Sequence, residues 1–479
     1  MVKKLVLPPS PQAKRQKAVQ AFLLTSGLLI CFSFWRLVCS SSSSDAMAAE
    51  MLLFSNMTKT QSSNIRLSTA REYRKYDRFD HLKKKDPAYH MNSLPAPTYH
   101  LVISTGCSTF QDWQSYVMFF HAVKSGQVRV SDTTDNISYV TRVASGCSDD
   151  EALQMDEIHR RDIAPMAPGR FFLHHTPEYK YSKPGIDYKF FNKPMGYRHW
   201  MSHALRYPYN HDKYDNVTTM GWPLSRQTNR EPFAQEYAFG VQFFNGLKMD
   251  KIAQKTEIPS RVSKLDLQKE AYSYMVGPPY IMKGYDLWRI ISKWAEFVTH
   301  VYEQVVDNLK PEHLSEMYSY SIASAHLGLK HAVAHSFMVS NVDIMAGEAW
   351  SLIDNKDGDD LCDNFPPNEM PHVLHHCQFY SLGNYFFSKY HLPGDFISCE
   401  SPLLVAPPSN FSKLYNYAYW PHNQEKRLDY ANNPLKIKRN AFAVCHMIKS
   451  MNEAAIYYKQ QHCNDATANY NRTLTLPVK

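Results

Sequence analysis

Two charged side chains stand in helical patterns from which they could act on a ligand. Asn192 and Lys193 open a helix pattern that leads to Trp200. Backbone N–H groups at a helix start, joined by a cationic side chain, suit a bound phosphate. Glu316 lies among largely apolar neighbours, where a carboxylate costs free energy unless it is paired. We expect Lys193 to contact a phosphate or to be an exposed helix end, and Glu316 to orient a substrate hydroxyl or to pair with a basic residue.

A strand, a turn and a helix are predicted at residues 99–127, and they would position further polar residues. The apolar run Leu101–Ile103 ends at Ser104 and Thr105, and apolar residues then recur three or four positions apart over residues 113–123. A unit of this kind opens many nucleotide-binding α/β domains. Ser104 and Thr105 are therefore candidates for contact with a nucleoside.

A second strand and helix follow the first pair. Residues 139–144 have the pattern of a strand, and the acidic run that includes Asp149 is typical of a helix start. Strand, helix, strand and helix in this order predict an α/β fold with a mainly parallel sheet. Because Asp149 follows the end of a strand, its position also suits a metal-binding carboxylate.

Other local signals predict further elements. Ser108 with Gln111 predicts a capping box at the first helix. Apolar spacing predicts later helices at residues 285–306, 311–327 and 441–458. The middle of the chain, residues 160–230, is rich in Pro, Tyr and His and has little periodicity.

The composition is that of a globular protein rather than of a nucleic-acid-binding one. The 479 residues are 44% hydrophobic and 20% charged, with a net charge of +8. The densest basic stretch, residues 71–85, is interrupted by acidic residues, so we interpret the charge as solvated surface and expect no nucleic-acid partner.

The N-terminal region predicts a membrane anchor. Residues 1–17 carry several lysines and an arginine, and no charge follows from Ala18 to Trp35. This order predicts a cytosolic tail (1–17), a signal-anchor helix (18–38) and a lumenal stem (39–97). A signal peptide cleaved near Cys39 is the alternative.

Sequons and cysteines also favour a lumenal body. Glycosylation sequons occur at Asn56, Asn136, Asn216, Asn410 and Asn471, all beyond the apolar segment. Seven cysteines lie beyond the anchor region, enough for three disulfides and one thiol in an oxidising lumen. Cys107 and Cys147 would end neighbouring strands, where either a disulfide or two buried thiols would fit.

Several sequence blocks, taken in order, resemble the plant and algal family of hydroxyproline O-arabinosyltransferases and peptidyl-serine α-galactosyltransferases. They are HLVISTGCSTFQDWQ with HAVKSGQ, VASGCSDDE, FNKPMGYRHW, VGPPYIM, LSEMYSYSIASAHLGL, HVLHHCQFY, LPGDFISCESPLL and HMIKSMNEA. The blocks fall within residues 98–463, which we take as one domain followed by a tail at 464–479.

The resemblance implies a single-pass type II enzyme of the Golgi or ER membrane with a GT-A-like nucleotide-sugar fold. Such an enzyme would transfer a sugar from a UDP-sugar to hydroxyproline or serine of secretory glycoproteins, with retention of configuration and with a divalent cation, usually Mn²⁺. It implies His375 as a metal ligand, Glu316 as a catalytic residue, and Ser104, Thr105, Asp149, Asn192 and Lys193 as contacts of the nucleotide sugar.

The Asp-x-Asp motif of this family is not visible where it should occur, between Asp215 and Pro232. Asp357-Gly358-Asp359 has the right letters, but it lies in a polar loop that we interpret as solvated. Either a segment near Asn216 has been lost from the sequence, or the chain is a metal-free relative. The alternative to an enzyme is therefore an inactive lumenal binding protein with the same fold; an anchored metal hydrolase is a third, weaker hypothesis. The donor sugar and the acceptor residue stay open.

Overall fold

The computed structural model describes part of the chain. The described residues are 99–128, 138–182, 185–207, 218–219, 231–237, 262, 269–308, 312–335, 337–344, 347–356, 361–363, 365–366, 369–382, 385–408, 433–464 and 466–476. The predicted tail, anchor and stem (residues 1–97) lie outside them, as do Asn56, Asn136, Asn216, Asn410 and the Asp357-Gly358-Asp359 motif. Among the described residues, no helix combines the length and the apolar character that crossing a membrane requires.

Three parallel strands begin the main sheet. They are β1 (Tyr99–Thr105), β2 (Ser138–Ser145) and β3 (Phe171–Thr176), with β2 paired to both of the others. The first two were predicted, and the mixed α/β class with parallel strands is confirmed. β3 was missed because all its residues are buried, so its sequence FFLHHT lacks the alternation of a half-exposed strand.

Four further strands complete a seven-stranded sheet. They are β4 (Thr218–Thr219), β5 (Phe233–Glu236), β6 (Val276–Lys283) and β7 (Ala332–Ala334), and the order across the sheet is β3-β2-β1-β4-β6-β5-β7. β4 is parallel to β1, β6 is antiparallel to β4 and β5, and β7 is parallel to β5. All strands except β6 therefore run in the direction of β1.

Two helices follow the first two strands. They are α1 (Thr109–Lys124) and α2 (Asp149–Ile158). Ser148 caps α2 in a complete capping box with Glu151. The capping box predicted for α1 is wrong, because the Gln111 side chain accepts a hydrogen bond from the backbone N–H of Gly106 instead, which holds the turn after β1.

The remaining helices cover the sheet and the C-terminal region. They are α3 (Asn192–His203), α4 (Gly284–Asn308), α5 (Ser315–Leu327), the short α6 (Ser351–Asp354) and α7 (Pro434–His462). α4 and α5 correspond to predicted helices, and α5 ends at Gly328 in the left-handed conformation. α7 is longer than predicted because Asn433 caps a charged first turn in which Pro434 fits.

Short paired strands and two of the three disulfides connect the C-terminal half. Short strands pair as β8 (Met338–Val339) with β9 (Val373–Leu374), β10 (Tyr380–Leu382) with β11 (Tyr385–Phe387), and β12 (Leu403–Leu404) with β13 (Thr473–Leu474). Three disulfides form, Cys107–Cys147, Cys362–Cys445 and Cys399–Cys463, and Cys377 forms none. The predicted count is thus confirmed, and the disulfide alternative holds for the first pair.

Candidate functional site at the carboxyl edge of the sheet

The carboxyl ends of β1, β2, β3, β5 and β7 meet at one edge of the sheet, which we call the carboxyl edge. This follows from the strand directions, since only β6 runs the other way. β4 runs in the same direction but ends beside His100, near the start of β1. In open sheets with parallel strands, ligands bind outside the carboxyl ends of the strands. The residues near this edge are therefore the first place to look for a site.

The helix α3 brings its first half against this edge. A β-carbon at Gly196 would lie 3.0 Å from Oγ of Ser145 and 3.7 Å from Oγ1 of Thr176, the last residues of β2 and β3. The hydroxyl of Tyr197 hydrogen-bonds with the backbone of Ser104 near the end of β1. Asn192 and Lys193, at the start of α3, therefore lie beside the carboxyl edge.

Lys193 and Glu316 form an ion pair at this place. Nζ of Lys193 lies 2.9 Å from Oε2 of Glu316. The Glu316 side chain is buried, whereas that of Lys193 is 31% exposed. Burial raises the pKa of Glu316 above its ordinary value, and the charge of Lys193 partly opposes this rise. Lys193 and Glu316, which were given separate roles from the sequence, are thus partners. The partly exposed ammonium of Lys193 can still contact a ligand.

The backbone around Glu316 is held by two aromatic side chains. Nε1 of Trp294, on α4, donates a hydrogen bond to the Glu316 carbonyl oxygen at 2.8 Å. The Glu316 N–H donates to the hydroxyl of Tyr188 at 3.3 Å. Because both contacts fix the first turn of α5, the carboxylate is presented to Lys193 in a defined position.

His375 is half-buried and lies within the electrostatic reach of Lys193. Burial, then the charges of Lys389 and Lys193, lower the pKa of His375 to about 3. Its Nδ1 is buried and has no hydrogen-bond partner. The imidazole is therefore neutral at physiological pH, and its role as a metal ligand stays a prediction.

Thr105 is held by a buried charge. Its Oγ1 accepts a hydrogen bond from Nε of Arg142 at 2.8 Å, and Nη1 of Arg142 lies 2.8 Å from Oδ1 of Asp112. Sequence analysis did not single out Arg142, because it lies inside the β2 pattern and its partners, Asp112 and Thr105, are distant in the chain. It joins β1, β2 and α1 just below the carboxyl edge.

The remaining predicted residues differ in exposure and in hydrogen bonding. Oδ1 of Asn192 accepts a hydrogen bond from the N–H of Tyr179 at 3.1 Å, which fixes the loop after β3. Asp149 is the first residue of α2 and is exposed. Asn471, the one predicted glycosylation site among the described residues, is also exposed.

The described residues do not form a divalent-cation site. No group of three or more His, Cys, Asp or Glu side chains among them could hold a metal ion. β4 lies between β1 and β6 and consists of two threonines. On the β1 side it pairs with Tyr99 and His100, and on the β6 side with Lys283 and Met282. The only described strand between Asp215 and Pro232 is therefore polar and very short.

A comparison of sequences identifies the family. The model for the N-terminal domain of the hydroxyproline O-arabinosyltransferase family matches residues 99–333. This part of the chain belongs to the hydroxyproline O-arabinosyltransferase family. The ion pair of Lys193 with Glu316 lies inside the matched part, and His375 lies beyond it.

One curated relative supports the same family. The chain is 24% identical over 299 residues to the peptidyl serine alpha-galactosyltransferase of Arabidopsis thaliana. The alignment covers 60% of this chain but only 31% of that protein, so this member of the family spans about a third of its relative's length. No solved structure matches the chain significantly.

Proposed function

We propose that this protein transfers a sugar from a UDP-sugar to a hydroxyl of hydroxyproline or serine in other proteins. The match of residues 99–333 to the hydroxyproline O-arabinosyltransferase family supports a glycosyltransferase. The name of the Arabidopsis relative, a peptidyl serine alpha-galactosyltransferase, supports a protein hydroxyl as acceptor. The parallel strands, with a helix start beside their carboxyl ends, favour a GT-A-like arrangement.

The partly exposed Lys193 at the carboxyl edge is the observation that carries this proposal. Its ammonium stands at the start of α3, and Tyr197 on the same helix contacts the backbone of Ser104. A nucleoside against Ser104 and Thr105 would place its diphosphate near Lys193. The 3₁₀ turn Lys189–Phe191 leads directly into α3, and its Lys189 carbonyl oxygen accepts a hydrogen bond from the Asn192 N–H. The cationic side chain of Lys193 is therefore the group suited to an anionic diphosphate.

The chemistry assigned to these residues is electrostatic. When the glycosidic bond to the diphosphate breaks, negative charge develops on the leaving oxygen, and a preorganised cation stabilises it. Lys193 supplies that cation, and Glu316 holds the ammonium in place. A divalent cation, with Mn²⁺ expected, is part of the family pattern, but the described residues do not fit one, so no step is assigned to it.

The same proposal places the protein in the Golgi or ER lumen, anchored through residues 18–38. Three disulfides fit an oxidising compartment, in which such bonds persist. The exposed sequon at Asn471 is compatible with glycosylation there. The proposed partners are therefore the UDP-sugar, secretory glycoproteins and the membrane.

A binding protein without transferase activity is the second candidate. The two-residue β4, which stands where the family pattern expects a longer strand with Asp-x-Asp, favours it. Such a protein would keep the site for the nucleotide or the acceptor without turnover.

Purified full-length protein in detergent tests the proposal. We expect one of a panel of UDP-sugars to bind and to label a hydroxyproline or serine peptide. The variants are Lys193→Met, the double variant Lys193→Met/Glu316→Gln, which leaves no unpaired buried charge, and Lys124→Met as a control at an exposed ion pair. The first two should weaken UDP binding at least tenfold, because a charged hydrogen bond is worth about 1.5–3 kcal/mol, whereas the control should not.

Each outcome separates the two candidates. Binding of UDP-sugars without labelling in the presence of Mn²⁺ would favour the binding protein. The proposal would be contradicted if both Lys193 variants bound UDP as tightly as the wild type, or if the wild type bound no UDP-sugar. Repeating the labelling with EDTA decides whether a cation takes part.

A further inference from the structure

A glutamate, a histidine and a tyrosine form a hydrogen-bonded row that neither the sequence prediction nor the proposed function uses. Nδ1 of His335 lies 2.5 Å from Oε2 of Glu236. Nε2 of the same imidazole lies 3.0 Å from the hydroxyl of Tyr272. The three residues are far apart in the chain, so the fold brings them together.

The row lies at the carboxyl edge of the sheet. Glu236 is the last residue of β5, and His335 directly follows the last residue of β7. Tyr272 lies in the short 3₁₀ helix Ala271–Tyr274 before β6. β6 runs in the opposite direction to the other strands and so begins at this edge. All three side chains are thus on the same edge as Ser104 and Lys193.

The side chain of Glu236 is largely buried, whereas those of His335 and Tyr272 are exposed. The Glu236 side chain is 15% exposed and that of His335 is 56% exposed. Gly347 has a φ of +88°, and a β-carbon there would lie 3.2 Å from Oε2 of Glu236, so the missing side chain leaves room for the carboxylate. The carbonyl oxygen of Gly347 accepts a hydrogen bond from Nε2 of Gln235, which fixes this approach.

Glu236 determines which nitrogen of His335 is free to accept a hydrogen bond. A carboxylate beside Nδ1 favours the tautomer with its proton on Nδ1. Nε2 then has a lone pair, and the hydroxyl of Tyr272 donates to it. In this tautomer Nε2 accepts a hydrogen bond from a hydroxyl group at the surface.

The position along the edge fits the far end of a nucleotide sugar. In the strand order β1-β4-β6-β5, β5 is the third strand from β1, which is ~14 Å at ~4.8 Å per strand. A donor that begins at Ser104 and extends along the edge in this direction would bring its sugar towards β5. An acceptor hydroxyl must come to that end.

We propose that His335, oriented by Glu236, binds the hydroxyl of the acceptor side chain, which takes the place of the Tyr272 hydroxyl at Nε2. The ligand class is an aliphatic hydroxyl carried by a peptide, as in hydroxyproline or serine. This inference rests on the proposed function for the identity of the acceptor. His335 is the binding residue, and Glu236 is a positioning residue that acts through it.

Binding of a hydroxyproline peptide, compared with the same peptide containing proline, tests the inference without requiring turnover. We expect the full-length protein to prefer the hydroxyproline peptide, and His335→Ala to lose that preference, roughly tenfold for one hydrogen bond. Glu236→Leu should lose it as well, whereas Glu236→Gln, whose amide oxygen still accepts from Nδ1–H, should keep most of it. Tyr272→Phe removes the competing hydroxyl and should tighten binding.

His300→Gln is the matched control, since Nδ1 of His300 lies 3.8 Å from Oε2 of Glu303 on α4 and neither residue belongs to the row. UDP binding should be unchanged in all five variants, which distinguishes this site from that of Lys193. With a serine peptide, alanine replaces proline as the reference.

The outcomes separate the inference from the proposed function. If the peptide preference depends on His335 but no sugar is transferred, the acceptor site stands and the transferase proposal fails. If sugar is transferred while His335→Ala keeps both the peptide preference and the KM for the acceptor, the inference is wrong. A wild-type protein that binds both peptides equally, or Tyr272→Phe that weakens binding as much as His335→Ala, would also overturn it.

Discussion

At the scale of single residues, Lys193 and Glu316 form a pair in which one partner is buried and the other reaches solvent. Such a pair keeps a charge available at the carboxyl edge while a protein group compensates it in the absence of a ligand. A bound diphosphate would compete with Glu316 for the ammonium. Loss of the pair should cost more at Glu316 than at Lys193, because the Glu316 carboxylate is almost fully buried.

Lys193→Met should destabilise the protein by about 1–3 kcal/mol at pH 7, because it leaves the buried Glu316 carboxylate without its partner. Glu316→Gln in the same chain should restore most of the loss. Denaturant unfolding at several pH values measures both effects.

The pH dependence has a definite sign. Burial raises the pKa of Glu316 above its ordinary value of 4.5, and Lys193 opposes that shift. A carboxyl group with a raised pKa in the folded state costs stability as the pH rises from 4.5 through its folded pKa. The deficit of Lys193→Met should therefore shrink as the pH falls towards 4.5. Lys124→Met, at an exposed pair, should lower the free energy of unfolding by under about 1 kcal/mol at every pH. If the deficit of Lys193→Met did not depend on pH, this explanation would be wrong.

At the scale of elements, the loops after β1 and β2 are held together at the carboxyl edge. Cys107 and Cys147 join them by a disulfide. Between β2 and Cys147 the chain turns at Gly146, which has a φ of +77°. A β-carbon at Gly146 would lie 2.9 Å from Cβ of Glu178, in the loop that follows β3. This glycine therefore permits both the turn and the close packing of the second and third loops.

Gly146→Ala should lower the free energy of unfolding by about 1–3 kcal/mol, because it adds a left-handed backbone strain to a steric contact. Gly126 offers a matched control. It has a similar φ of +71° after α1, but a β-carbon there would meet nothing within 4 Å. Gly126→Ala should lose only the strain, about 1 kcal/mol. Equal losses in denaturant unfolding would show that the contact with Glu178 contributes nothing.

At the scale of the whole molecule, several histidines are buried in neutral form in different parts of the core. Burial lowers the pKa of His100 and His331 to about 3, and that of His159 and His446 to about 4. In the unfolded chain the same side chains take up protons near their ordinary pKa of 6.5. The folded protein is therefore expected to be sensitive to acid.

Stability should fall as the pH is lowered from 6.5 towards 4, by as much as about 1.4 kcal/mol per pH unit for each of these histidines. The sign follows from a pKa lowered in the folded state, because the unfolded chain then binds more protons in that range. Glu316 opposes the trend as a single group. Thermal unfolding between pH 7.5 and 5 measures the slope, and His331→Gln should make it shallower. An unchanged Tm across this range would contradict the prediction.

The sequence by itself determined the elements whose signals are local. The pattern of β1 and α1, the acidic start of α2, and the end of α5 at Gly328 each depend on residues within one or two turns of each other, so they could be predicted without knowing the packing. The family blocks also predicted roles for Lys193, Glu316 and Ser104 in binding or catalysis, and these roles stay predictions. β3 escaped prediction because complete burial removes the alternation that marks a strand.

Only the tertiary structure decided which of these residues touch. Lys193 and Glu316 are 123 positions apart in the chain, and Thr105 with Arg142 and Glu236 with His335 are brought together by the order of strands in the sheet. The physical reason is that an ion pair or a hydrogen bond forms at a distance of about 3 Å, whereas a sequence pattern reports only which face of an element is apolar. Strand order and helix packing set those distances, and both are properties of the folded chain as a whole.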